Sequence, residues 1–169
     1  MKQRLIMILT LLAINPCYAV EKATEKRLDE VAQRGIHVMP FDLELTTHIF
    51  SKTAKGGVQQ VIVKNPKDNA QIKLIREHLI KISHEFQQAD YSSPAKIHGE
   101  NMLGLEMLRN ATSDQISILY KDLPNGAEIT YSSDIPALIT AIHQWFDAQL
   151  SDHARHAISG HSNHKRHNK

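Results

Sequence analysis

Two runs of alternating apolar residues, each followed by a helical stripe, constrain the fold of this 169-residue chain most strongly. Strand-like segments run from Thr46 to Thr53 and from Val58 to Lys64, on either side of Gly56-Gly57, which reads as a hairpin turn. Pro66 breaks the second segment, and Asp68 or Asn69 can cap a helix beginning there. From Asp68 to Gln88, Ile72, Ile75, Leu79, Ile82 and Phe86 recur at spacings of three and four, which makes one apolar helix face. Ser92-Ser93-Pro94 ends that region, and Asn101 to Arg109 reads as a shorter helix with Met102, Leu105 and Leu108 as its face. The pattern then returns. Gln115 to Lys121 alternates with Ile116, Ile118 and Tyr120 on one side, and Leu123-Pro124-Asn125-Gly126 is a turn. Ala127 to Ser132 alternates with Ala127, Ile129 and Tyr131 inward. Asp134 caps a last helix with Pro136 in its first turn and Leu138, Ile142, Trp145, Phe146 and Gln149 on its buried face. The order predicts an α+β domain: a four-stranded antiparallel sheet built from two hairpin–helix halves, with both helices on one face.

The ends of the chain differ from this body. Lys2 and Arg4, the apolar run Leu5–Ile14 and the small residues Cys17 and Ala19 have the three-part pattern of a secretory signal peptide, cut after Ala19. The run is too short for a permanent membrane anchor. About 150 residues remain, the length of one domain, and none is cysteine. A protein in an oxidising compartment without disulfides has to bury a real core, and thiolate chemistry is excluded. The chain has 20 basic and 18 acidic residues, and loss of Lys2 and Arg4 balances them, so nothing steers the protein toward nucleic acid. The expected organisation is a signal peptide over 1–19, a helix or linker over 20–44, the α+β domain over 45–157 and a disordered histidine-rich tail over 158–169.

Eleven histidines carry what chemistry the sequence offers. Imidazole is the commonest protein ligand for zinc, copper and nickel. His78 and His143 occupy similar positions in the two helices, flanking the apolar faces, and two equivalent positions can converge on one pocket. His48 alternates with Phe50 and so can face the core. His98, followed by Met102, offers imidazole plus thioether, a soft set suited to copper. His153 and His156 share one side of a continuing helix and can chelate one ion with Asp152 nearby. His161, His164 and His167 lie in the tail, where ordering them costs entropy. No Walker loop, nucleophile elbow or His-Glu-x-x-His motif is present.

Several segments occur together: His37-Val38-Met39-Pro40-Phe41-Asp42-Leu43, Thr46-Thr47-His48-Ile49-Phe50, Gly56-Gly57-Val58-Gln59-Gln60-Val61, Ile75-Arg76-Glu77-His78-Leu79, Ile97-His98-Gly99 with Met102 and Gly104, and Trp145-Phe146-Asp147-Ala148-Gln149 with Ser151-Asp152-His153. They resemble a family of small secreted bacterial proteins over about Ile36 to Ala157, whose members often carry the name aspartate carbamoyltransferase. The resemblance implies secretion and a common fold over that span. The transferase of that name has two α/β domains and a Ser-Thr-Arg-Thr phosphate loop; the nearest run here is Ser51-Lys52-Thr53, inside a strand, so carbamoyl transfer is not expected. The leading expectation is a periplasmic or secreted protein that binds copper or zinc through three or four of His48, His78, His98, Met102, His143, His153 and His156, for buffering, delivery or sensing. The tail would capture ions for that site. The alternatives are a small secreted enzyme whose histidines act as general base or hold a catalytic metal, and a structural or partner-binding domain with an incidental tail. A closed ligand set favours binding; room for a small molecule beside a histidine and a carboxylate favours catalysis.

Overall fold

The computed structural model describes residues 23–160. Residues 1–19, where a signal peptide is expected, and His161, His164 and His167 lie outside that range. The described chain forms five α-helices and one five-stranded sheet. In order these are α1 (Glu25–Gly35), a 3-10 turn (Leu43–Leu45), β1 (Thr46–Thr53), β2 (Gly56–Val63), α2 (Asn69–Gln87), α3 (Ser92–His98), α4 (Leu105–Arg109), β3 (Ser117–Leu123), β4 (Gly126–Ser132), α5 (Pro136–Asp152) and β5 (Ala157–Ser159).

The fold class is α+β, and the sheet is mixed rather than four-stranded and antiparallel. Its order is β3-β4-β2-β1-β5, and β5 runs parallel to β1. The fifth strand is only three residues long, too short to carry an alternation. It is fixed by tertiary hydrogen bonds: His48 N donates to His156 O at 2.8 Å, and Gly160 N donates to Phe50 O at 2.9 Å. The ordered domain therefore reaches past Ala157. It also begins before residue 45, because α1 buries Leu28 and Val31.

The alternation read from the sequence does face a core. His48, Val61 and Ala127 are paired in one row across β1, β2 and β4; Phe50, Gln59 and Ile129 form the next. All six are buried. The α2 helix packs against β3 and β4, and α5 against β1 and β2. Leu79, Ile82, Leu138, Ile142 and Trp145 meet Ile118, Ile129 and Tyr131 in one cluster. Tyr131 and Phe146 both set their rings edge-on to neighbouring aromatics, and Tyr131 Oη finds Gln59 Oε1 at 2.8 Å, so its polar end is satisfied.

Four local readings are corrected. The two-residue hairpin turn is Ala54-Lys55, and Gly56 and Gly57 already belong to β2, because Thr53 pairs with Gly56. Gly57 is small for another reason: a Cβ there would run into the Phe146 ring, so the glycine lets α5 settle onto the sheet. Ser92-Ser93-Pro94 opens α3 rather than ending a helical region, since proline is tolerated in a first turn. The helix expected from Asn101 begins only at Leu105, after Gly104 takes the left-handed conformation at φ 78° against the α5 backbone. Finally, Asp134 does not cap α5. It pairs with Lys55, and Ser133 Oγ accepts from Ile135 N at 3.0 Å instead.

Candidate functional site

Three histidines from three elements meet under the sheet. His48 projects inward from the middle of β1, its backbone pinned to the α5–β5 turn through His156 O. His153 stands at the C-terminal end of α5, where its N–H closes the last turn on Gln149 O at 2.9 Å. His98 ends α3 just before Gly99, which takes φ 88° and turns the chain away. All three are nearly inaccessible to solvent.

Their relative geometry is specific. His98 Nε2 and His153 Nε2 face each other at 3.1 Å, with the rings nearly perpendicular. His48 stacks flat on His153, with ring centroids 5.3 Å apart. His98 Nδ1 meets Asp152 Oδ2 at 2.8 Å. Asp152 is in turn gripped by Arg27 of α1, Nε to Oδ1 at 3.1 Å and Nη2 to Oδ2 at 2.5 Å, while the same Nη2 donates to His98 O at 2.7 Å. This fork–fork contact orients the carboxylate.

Protonation follows from that network. Burial works against the Asp152 charge, but the His98 ring and the Arg27 guanidinium outweigh it and hold the carboxyl below its ordinary range. An ionised carboxylate only accepts, so His98 Nδ1 carries the proton and its Nε2 presents a lone pair. His153 Nε2–H then donates to that lone pair. Burial lowers the His98 pKa against the opposing pull of Asp152, and it lowers His153 further, with His98 and His48 adding to the effect. Burial takes His48 down to about 3 and His78 to about 4. The imidazoles are neutral at pH 7, the form that binds metal.

A cavity of about 40 Å³ opens beside them, lined by His48, His78, His98 and His153 together with Met39, Gln59, Trp145 and Gln149. Phe41 stands between His48 and His78, with centroids 5.7 and 5.6 Å away. Two buried nitrogens that belong to the lining residues, His48 Nδ1 and Trp145 Nε1, have no hydrogen-bond partner. The volume suits one water or one ion and is far below the several hundred cubic ångströms of a small-molecule pocket.

The remaining candidates go elsewhere. His143 is not the counterpart of His78 in a shared pocket: its Nε2 bridges Thr53 O at 3.0 Å and Gly56 O at 2.8 Å, tying α5 to the β1–β2 turn. His153 and His156 are not a helical pair, because α5 ends at Asp152; they line one small cavity with Asp152, while His156 Nε2 meets Glu44 Oε1 at 2.6 Å. Met102 lines a separate groove with Leu103, Met107 and Ala141. The methionine that lines the histidine cavity is Met39 instead. Among the described residues no three His, Cys, Asp or Glu side chains stand ready as a metal set. Arg27, Met39, Gln59 and Gln149 carry no sequence signal as site residues; Arg27 meets Asp152 across 125 positions. No family model, curated protein or solved structure matches this chain.

Proposed function

We propose that the protein is a periplasmic or secreted binder of one transition-metal ion, copper or zinc, used for buffering, delivery or sensing, and that the facing Nε2 atoms of His98 and His153 are the core of its site. The observation that carries this reading is the chain Arg27–Asp152–His98–His153. A carboxylate on the far nitrogen of a histidine is the outer-shell arrangement that fixes a metal-binding imidazole's tautomer and direction, and here it leaves His98 Nε2 unprotonated and aimed at a second imidazole. Metal–nitrogen bonds of about 2.0–2.1 Å span a 3.1 Å pair at an angle of roughly 100°, so an ion can replace the shared proton with little movement. The proton would then sit on His153 Nδ1 instead of Nε2, so that the ring stays neutral.

The 40 Å³ cavity supports ion binding at His48, His78, His98 and His153, because an organic substrate does not fit beside these four; the roomier groove of about 470 Å³ beside His156 and Glu44 is a separate place. The test is metal analysis of untagged protein purified from periplasm, repeated on the chain carrying His161→Ala, His164→Ala and His167→Ala. A stop after Ala157 is unsuitable because it removes β5. One equivalent of metal that survives loss of the tail histidines and disappears in His98→Ala and His153→Ala is expected. Metal that follows the tail alone overturns the reading.

A further inference from the structure

Resting on that reading, we infer that the ion is copper(I), with the thioether of Met39 completing a two-nitrogen, one-sulfur set with His98 and His153. Three observations converge. First, a structural zinc site closes with four nitrogen, sulfur or oxygen ligands, and the described residues offer no group of three His, Cys, Asp or Glu. Copper(I), a closed-shell ion without a strong geometric preference, accepts two or three donors, and thioether is a soft ligand that selects it.

Second, Met39 stands at the same cavity as the two imidazoles. It lines the cavity with His98 and His153 and is buried. Its N–H bonds to Gly35 O at 2.8 Å as the chain leaves α1, and its terminal methyl lies so close to Gly35 that a Cβ there would meet it at 2.7 Å. The backbone of Met39 is thus held, and its terminal methyl packs on Gly35, before any ion arrives.

Third, the cavity offers no net negative charge. Asp152 is the carboxylate bonded to His98, and Arg27 already neutralises it. Desolvation energy grows with the square of the charge, so a divalent ion carries roughly four times the burial penalty of a monovalent one. Four neutral imidazoles offset a single charge more readily than a double one.

The experiment uses the full chain with the three tail histidines replaced, and with Cys17→Ala where the leader is retained. Copper(I) is titrated under anaerobic, reducing conditions against a chromophoric copper(I) chelator, and zinc(II) separately against a zinc indicator. Copper(I) should bind as one equivalent and more tightly than zinc(II). Met39→Leu, a swap that conserves volume, should weaken copper(I) by at least the roughly 10–100-fold that even outer-shell partners command, while Met102→Leu leaves it unchanged. X-ray absorption of the copper(I)-loaded protein should show a sulfur neighbour that Met39→Leu lacks; this needs only the unaltered side chain for its positive result. A nitrogen-only copper shell, an unchanged Met39→Leu affinity, or zinc(II) bound as tightly as copper(I) overturns the copper(I) assignment and leaves the metal site standing. Failure of both ions to bind better than to His98→Ala overturns the site itself.

Discussion

Asp152 shows how one side chain determines what its neighbour can do. Its carboxylate touches no cavity-lining nitrogen except His98 Nδ1, yet through that contact it decides which nitrogen of His98 is free. Asp152→Asn preserves shape but can present an amide N–H to the ring, which reverses the tautomer and turns Nε2 into a donor facing another donor. We expect this variant to lose about 10–100-fold in metal affinity and about 1–3 kcal/mol in stability, since Arg27 is left without its carboxylate. Binding titration and urea unfolding of the same samples check both. An affinity equal to the parent's would mean that Asp152 only braces α1 against α5. His98, His153 and His48 are all legible in the sequence as candidates, because an imidazole in an apolar pattern is conspicuous. Their grouping is not. His153 reads as half of a helical pair with His156, and only the end of α5 at Asp152 separates the two. Met102 reads as the thioether nearest His98 in sequence, while Met39 is the one that shares its cavity.

At the level of elements, the two hairpin–helix halves form because alternation and helical stripe agree on one buried face. What the pattern cannot carry is an element held by tertiary contacts alone. The β5 strand is three residues long, and α3 owes its position to Arg27 and Arg34 of α1, which bond His98 O and Ile97 O. These are the elements that place His98 and His48 near His153, so the site is harder to read than the sheet. Glycines mislead for a related reason. Gly56-Gly57 looks like turn chemistry, but Gly57 serves close packing beneath Phe146. Gly57→Ala should therefore cost about 1–3 kcal/mol by overpacking rather than the few tenths expected of an exposed position. Chemical denaturation is the measurement, and a cost below about 0.5 kcal/mol would place α5 farther from the sheet.

For the whole molecule, buried neutral histidines couple stability to pH. Histidine in the unfolded chain titrates near 6.5, whereas burial holds His48 at about 3 and His78 at about 4 in the fold. Between those values the unfolded state binds more protons. Stability is therefore complete above pH 6.5 and falls as pH drops, by up to about 1.4 kcal/mol per unit for each histidine. His48 and His78 together should remove about 3 kcal/mol between pH 6.5 and 5, with His98 and His153 acting in the same direction. Urea midpoints of the metal-free protein across that interval check this; a flat profile would mean that the histidines are hydrated. The same linkage gives the most direct test of the metal site, because an ion that binds only the fold stabilises it, by about 2.7 kcal/mol at a hundredfold excess over its Kd. The measurement is the thermal midpoint of the tail-substituted chain, and of its His98→Ala and His153→Ala forms, each with and without copper(I) and zinc(II). The account predicts a metal-dependent rise in the parent that both substitutions abolish. A rise of the same size in all three proteins, or none in the parent, would contradict it.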